Sequence, residues 1–147
     1  MFFGEFTHSF DDKGRLTLPA KYREGLETGV VITRGIDRCL FVFPRAGFMP
    51  LAQNIAGLPF TDPNNRDFGR LMFSSATDLS PDKQGRVLIP QGLRDYANLD
   101  GEAIIIGLFN KLEIWNPAQW AEVQARVEAD PQGIAEKLHM ATGESGL

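Results

Sequence analysis

Asp11-Asp12-Lys13-Gly14-Arg15-Leu16-Thr17-Leu18-Pro19 and Asp82-Lys83-Gln84-Gly85-Arg86-Val87-Leu88-Ile89-Pro90 stand 71 residues apart and share the pattern D-x-x-G-R-x-x-x-P. The agreement runs on downstream: Arg23 aligns with Arg94 and Glu24 with Asp95. After a shift of one residue, Leu40, Val42 and Phe43 align with Leu112, Ile114 and Trp115, and Phe48 with Trp120. Two copies of a unit of about 45 residues are a duplication and not a solenoid, which needs three or more repeats. The expected organisation is a first repeat over residues 1–55, a linker and connecting helix over 56–74, a second repeat over 75–127, and a C-terminal helix and tail over 128–147.

Each copy reads as strand, turn, strand, short helix, hairpin and longer helix. In Asp-x-x-Gly the Asp side chain accepts hydrogen bonds from backbone N–H groups two residues on, and Gly takes the positive φ of a tight turn, so Asp11, Gly14, Asp82 and Gly85 are expected to form two hairpin tips. Residues 15–18 and 86–89 are short and apolar or β-branched, as strands require. Pro19 and Pro90 suit a first helical position, and residues 19–26 and 90–97 read as short helices, the first with Tyr22 and Leu26 on one inner face. Residues 30–33 with 40–43, and 103–106 with 112–115, read as hairpins. Helices follow over 44–56 and from Asn116, with Phe48 and Trp120 expected in the core. A further helix is expected over 66–75, a short one around 134–140, and no order after Ala141. The fold class is α+β, two β-rich repeats forming one pseudo-twofold, β-barrel-like body with peripheral helices.

The chain has 147 residues, 43% apolar and 23% charged, the balance of a globular protein of one domain or two small ones. Apolar runs such as 103–106 fall far short of the roughly 20 residues of a membrane helix, and the N-terminus lacks a basic region followed by an apolar stretch. A cytoplasmic protein is expected. Cys39 is the single cysteine, has no disulfide partner, and reads as a small apolar filler of a strand. The net charge is −4, but eight acidic and three basic residues lie from Asp100 onward, so residues 1–99 carry +1.

No catalytic constellation is visible: His8 and His139 are isolated, no serine lies in a Gly-x-Ser-x-Gly setting, and no phosphate-binding or calcium loop occurs. Catalytic residues, cofactors, metals and a small-molecule substrate are therefore not expected. The paired arginines remain, each one residue beyond a tight turn and each with a lysine, Lys13 or Lys83, close by. Arginine offers a planar five-donor fork suited to phosphate or to the O6/N7 edge of guanine, and a two-stranded ribbon fits the DNA major groove. The competing reading is an ion pair, with Asp11 or Asp82 folding across its turn onto its own arginine or onto that of the other repeat. The two are compatible, because a carboxylate can hold a guanidinium in place for a phosphate. Lys21, Arg23 and Arg94 are weaker DNA-binding candidates or members of a solvated face.

Residues 1–6 and 11–23, with 82–90 and 107–115, resemble the bacterial MraZ family in order and spacing over residues 1 to about 125. The resemblance implies a place among the AbrB/SpoVT swapped-hairpin DNA binders, one chain supplying both interlaced units. It also implies a transcriptional regulator, typically a repressor, at the promoter of the division and cell-wall gene cluster. Ring-shaped homo-oligomers would engage short repeated boxes in double-stranded DNA at the nucleoid, with Arg15 and Arg86 matching the family's motif arginines. The alternative is an antitoxin-like or scaffolding protein of the same fold whose acidic C-terminal region binds a protein partner.

Overall fold

The computed structural model describes residues 1–138. Residues 1–117 make one compact unit and residues 118 onward a second. The first copy gives β1 (Phe2–Ser9), β2 (Arg15–Thr17), a single 3-10 turn leading into α1 (Arg23–Leu26), β3 (Val30–Arg34), β4 (Leu40–Pro44) and α2 (Arg45–Ala56). After α3 (Pro63–Phe73), the second gives β5 (Thr77–Leu79), β6 (Arg86–Leu88), α4 (Gln91–Tyr96), β7 (Glu102–Phe109), β8 (Leu112–Trp115) and α5 (Pro117–Ala129), followed by α6 (Pro131–Glu136). The element order expected for each copy is the order observed.

Six strands form one antiparallel sheet in the order β1-β7-β8-β4-β3-β5, and β2 pairs with β6 in a separate two-stranded ribbon. Exchanging the two copies maps this order onto itself: β1 of the first copy lies on β7 of the second, and β5 of the second on β3 of the first. The central pair is β4 with β8, Leu40 opposite Ile114 and Val42 opposite Leu112. The copies have thus traded strands, which is the swapped-hairpin fold. The body is not a barrel, however. Its sheet is open: β1 and β5 stand at opposite ends of the order, β1 paired with β7 and β5 with β3.

Side chains alternate across the sheet, so each face carries its own cluster. On one face Ile32, Leu40, Ile105, Leu112 and Ile114 join Leu16 and Val87 of the ribbon, Leu18 and Ile89 just beyond it, Tyr22 of the 3-10 turn, Leu26 of α1 and Leu93 of α4. On the other, Val31 and Phe43 pack with Phe48 of α2. Cys39 is a fully buried free thiol, filling space as expected.

Several boundaries differ from expectation for local reasons. Pro19, Pro44 and Pro90 are N-caps in extended conformation, one residue before the helix, where their carbonyls start the first turn. The connecting helix begins at Pro63 because Asp62 caps it, accepting from the Asn64 N–H. No side chain of α5 is fully buried, and Trp120 is half-buried where Phe48 of α2 is buried. The last short helix covers residues 131–136. His139 and the expectation for residues after Ala141 lie outside the described residues.

Candidate nucleic-acid interface

The two turns are built alike, bond for bond. In the first, Asp11 Oδ1 accepts from the backbone N–H groups of Lys13 and Arg15, both at 2.9 Å, and Oδ2 accepts from Arg15 Nε at 2.6 Å. In the second, Asp82 Oδ1 accepts from the N–H groups of Gln84 and Arg86 at 2.9 Å, and Oδ2 from Arg86 Nε at 2.8 Å. Gly14 and Gly85 close the turns at φ +82° and +76°, conformations that glycine enters without strain.

The ion pairs weighed in the sequence are therefore present, each to the arginine of its own turn. Asp11 also faces the other copy, with Arg86 Nη1 at 3.9 Å from its Oδ2. The expected hairpin, however, is only begun within each copy. Phe10 bridges Leu16, after which β2 leaves its own repeat and pairs with β6, Leu16 opposite Val87. The Leu18 N–H donates to Gly85 O at 2.8 Å and the Ile89 N–H to Gly14 O at 3.1 Å, fastening each strand to the other copy's turn.

Arg15 and Arg86 consequently stand at the starts of the two ribbon strands, half-buried, and Lys13 and Lys83 occupy the exposed turns. Leu16 and Val87 point inward, so Arg15, Thr17, Arg86 and Leu88 share the outward face. The Nε–H of each arginine is committed to its aspartate, and a guanidinium carries four more N–H donors on its two terminal nitrogens.

Arg23 and Arg94 have structural work that the sequence did not reveal. Their Nε atoms donate to Leu18 O and Ile89 O, and each guanidinium lies over the turn glycine of the other copy. A Cβ at Gly14 would fall 2.8 Å from Arg94 Cζ, and one at Gly85 would fall 2.3 Å from Arg23 Nε. Only a motif-aligned arginine pair hinted at this. Lys21 is exposed beside Tyr22.

The backbone N–H of Arg15, with its guanidinium and the Lys13 N–H, pulls the Asp11 carboxyl down from 3.8 to about 2 against an opposing desolvation effect, and Asp82 moves down for the same reasons. A carboxyl depressed in the folded state contributes stability that is fully present above its unfolded value and is lost as pH falls through the folded one. Stability should therefore fall between pH 3.8 and about 2 through Asp11. In Asp11→Asn, acid titration followed by circular dichroism should show a flatter profile across that window; an unchanged slope would refute the assignment.

Among the described residues, no group of three His, Cys, Asp or Glu side chains is placed to hold a metal ion, and no helix is long and apolar enough to cross a membrane. What the chain does present is a duplicated, strand-exchanged fold with paired arginines on one ribbon. The family described as "MraZ protein, putative antitoxin-like" matches residues 1–71 and again 72–138. A protein of Roseiflexus castenholzii named "Transcriptional regulator MraZ" is 48% identical over 138 residues, covering 94% of this chain and 96% of its own. Proteins of the same name from Desulforamulus reducens and Pediococcus pentosaceus are 44% and 45% identical over 94% of this chain, covering 97% and 96% of their own lengths. The chain belongs to the MraZ family.

Proposed function

We propose that the chain is a DNA-binding transcriptional regulator that reads short repeated promoter boxes with the outward face of its β2/β6 ribbon. The supporting observation is the placement of Arg15 and Arg86 on that one face, each held by an aspartate, with Lys13 and Lys83 exposed on the adjoining turns. The relatives' shared name points the same way. A two-stranded ribbon fits the major groove, where arginine pairs with guanine and lysine with phosphate. Lys21 adds a peripheral phosphate contact, and Arg23 and Arg94 support the turns from behind.

Net charge −4 makes a single chain a weak DNA ligand. A ring of copies presenting many ribbons to repeated boxes gains affinity through effective concentration. In this reading the protein acts at the nucleoid and represses the division and cell-wall gene cluster.

The test is fluorescence anisotropy on DNA upstream of the chain's own coding region, against shuffled DNA, across a salt series. Arg15→Lys and Arg86→Lys keep the charge and lose the fork, and should each lose about 1–3 kcal/mol of binding together with selectivity. Lys13→Ala and Lys83→Ala should weaken binding to every sequence and reduce the salt slope by about one. Equal affinity for shuffled DNA, or unchanged binding in both folded arginine variants, would sink the proposal.

The antitoxin-like or scaffolding alternative draws support from the C-terminal unit, where α5 buries no side chain and Val127, Ile134 and Leu138 are exposed. Removing residues 130–147 should leave DNA binding intact; loss of a specific protein partner alone would favour this second reading.

A further inference from the structure

The duplication places unlike residues at one equivalent position of the ribbon. Thr17 and Leu88 are 71 residues apart, in the same register as the motif arginines. Across the ribbon Arg15 lies opposite Leu88, and Arg86 lies opposite Thr17. Leu88 is 54% exposed, whereas its neighbours Val87 and Ile89 are 1% and 0% exposed. It belongs to the solvent face of a strand that needs no apolar residue there. With Arg15, Arg86, Leu79 and Thr77 it lines an open recess of about 500 Å³. The protein thus keeps a large aliphatic side chain exposed in a recess that Arg15 and Arg86 also line.

On the proposed reading of this face as the DNA-binding surface, on which this inference rests, we infer that Leu88 is a specificity residue. It packs on the C5 methyl of a thymine beside the base pair met by Arg15, and Thr17 takes the corresponding place beside Arg86. Thymine is the base that offers a methyl group in the major groove, and apolar side chains recognise it there. Side chains directly opposite in an antiparallel pair stand about 5 Å apart, against a base-pair rise of about 3.4 Å, so Leu88 and Arg15 address the same or adjacent base pairs. The Arg86 half carries a hydroxyl and a small methyl instead, and accepts more than one base. The two halves of the ribbon therefore read unlike half-sites, and the preferred box is asymmetric.

The experiment uses the full-length protein and the box it selects from a random duplex library, with each thymine replaced in turn by deoxyuridine, which lacks only the methyl. One such replacement should weaken wild-type binding roughly fourfold, the worth of burying one methyl group. Leu88→Ala should weaken binding to the thymine box at least as much and be indifferent to that replacement. Leu88→Thr, which makes the halves alike, should select a more symmetric box. Failure to select any box would overturn the DNA-binding reading itself. A selected box with no sensitive thymine, or losses from Leu88→Ala and deoxyuridine that simply add, would overturn the role of Leu88 and leave that reading standing.

Discussion

Leu16→Ala will lower the unfolding free energy by about 2–5 kcal/mol, the range for truncating a fully buried leucine in a core that cannot collapse around the gap. Leu16 is 0% exposed and sits at the middle of β2, opposite Val87 at 1%, where the strands of the two copies cross. The ribbon has only three residue pairs, so few neighbouring contacts can compensate. Val87→Ala removes two carbons where Leu16→Ala removes three, and at about 0.8 kcal/mol per methylene its loss should be smaller. Chemical denaturation at neutral pH checks both: the midpoint should fall with an unchanged slope. Because Leu16 lies between Arg15 and Thr17, DNA affinity should weaken in the folded Leu16 variant too. A shift under 1 kcal/mol would mean that the ribbon is not the keystone of the fold.

Gly107→Ala should destabilise by about 3 kcal/mol, the upper end of overpacking losses. Gly107 lies in β7 opposite Gly4 of β1. A Cβ there would stand 2.5 Å from the backbone carbon of Phe2 and the backbone nitrogen of Phe3, and 2.7 Å from the Tyr22 hydroxyl. None of these is the loose end of a side chain. Tyr22 donates to Phe3 O, and its ring meets Phe2 and Phe6 edge-on at 5.4 and 5.3 Å, so moving it disturbs the whole contact between β1 and the first short helix. Gly92→Ala is the control. It lies in α4 with nothing within 4 Å of the added carbon, and should stabilise by about 0.5 kcal/mol through helix propensity. Equal melting temperatures for the two variants would refute the packing account.

The repeat, the element order and the turn chemistry were legible in the sequence because each rests on local rules: aspartate two residues before an N–H, glycine at positive φ, apolar alternation. The partner of each strand was not. Leu16 is close to Phe10 in the chain and touches it, yet its ladder is made with Val87, a choice fixed by burial that no local pattern encodes. The open sheet was not legible either, since it depends on which strands end the order, β1 and β5. Of the candidate site, the arginine–aspartate pairs were readable from their spacing. The use of Arg23 and Arg94 as lids on the opposite copy's glycines was not, since it depends on the two turns meeting in space. Trp120 shows the converse limit, because helical apolar spacing marks a face that turns inward and not how deeply it is buried: Trp120 is half-buried.

The exchange of strands also sets a timetable for biosynthesis. Phe2–Ser9 is made before the other sheet strands, but its ladder partner Glu102–Phe109 is made almost last among them. At roughly 5–20 residues per second, β1 waits on the order of ten seconds with its hydrogen-bonding edge unclaimed. Neither copy can complete the sheet with its own strands. Until the second copy is made, the edge of β1 stays open to pairing with a strand of another chain.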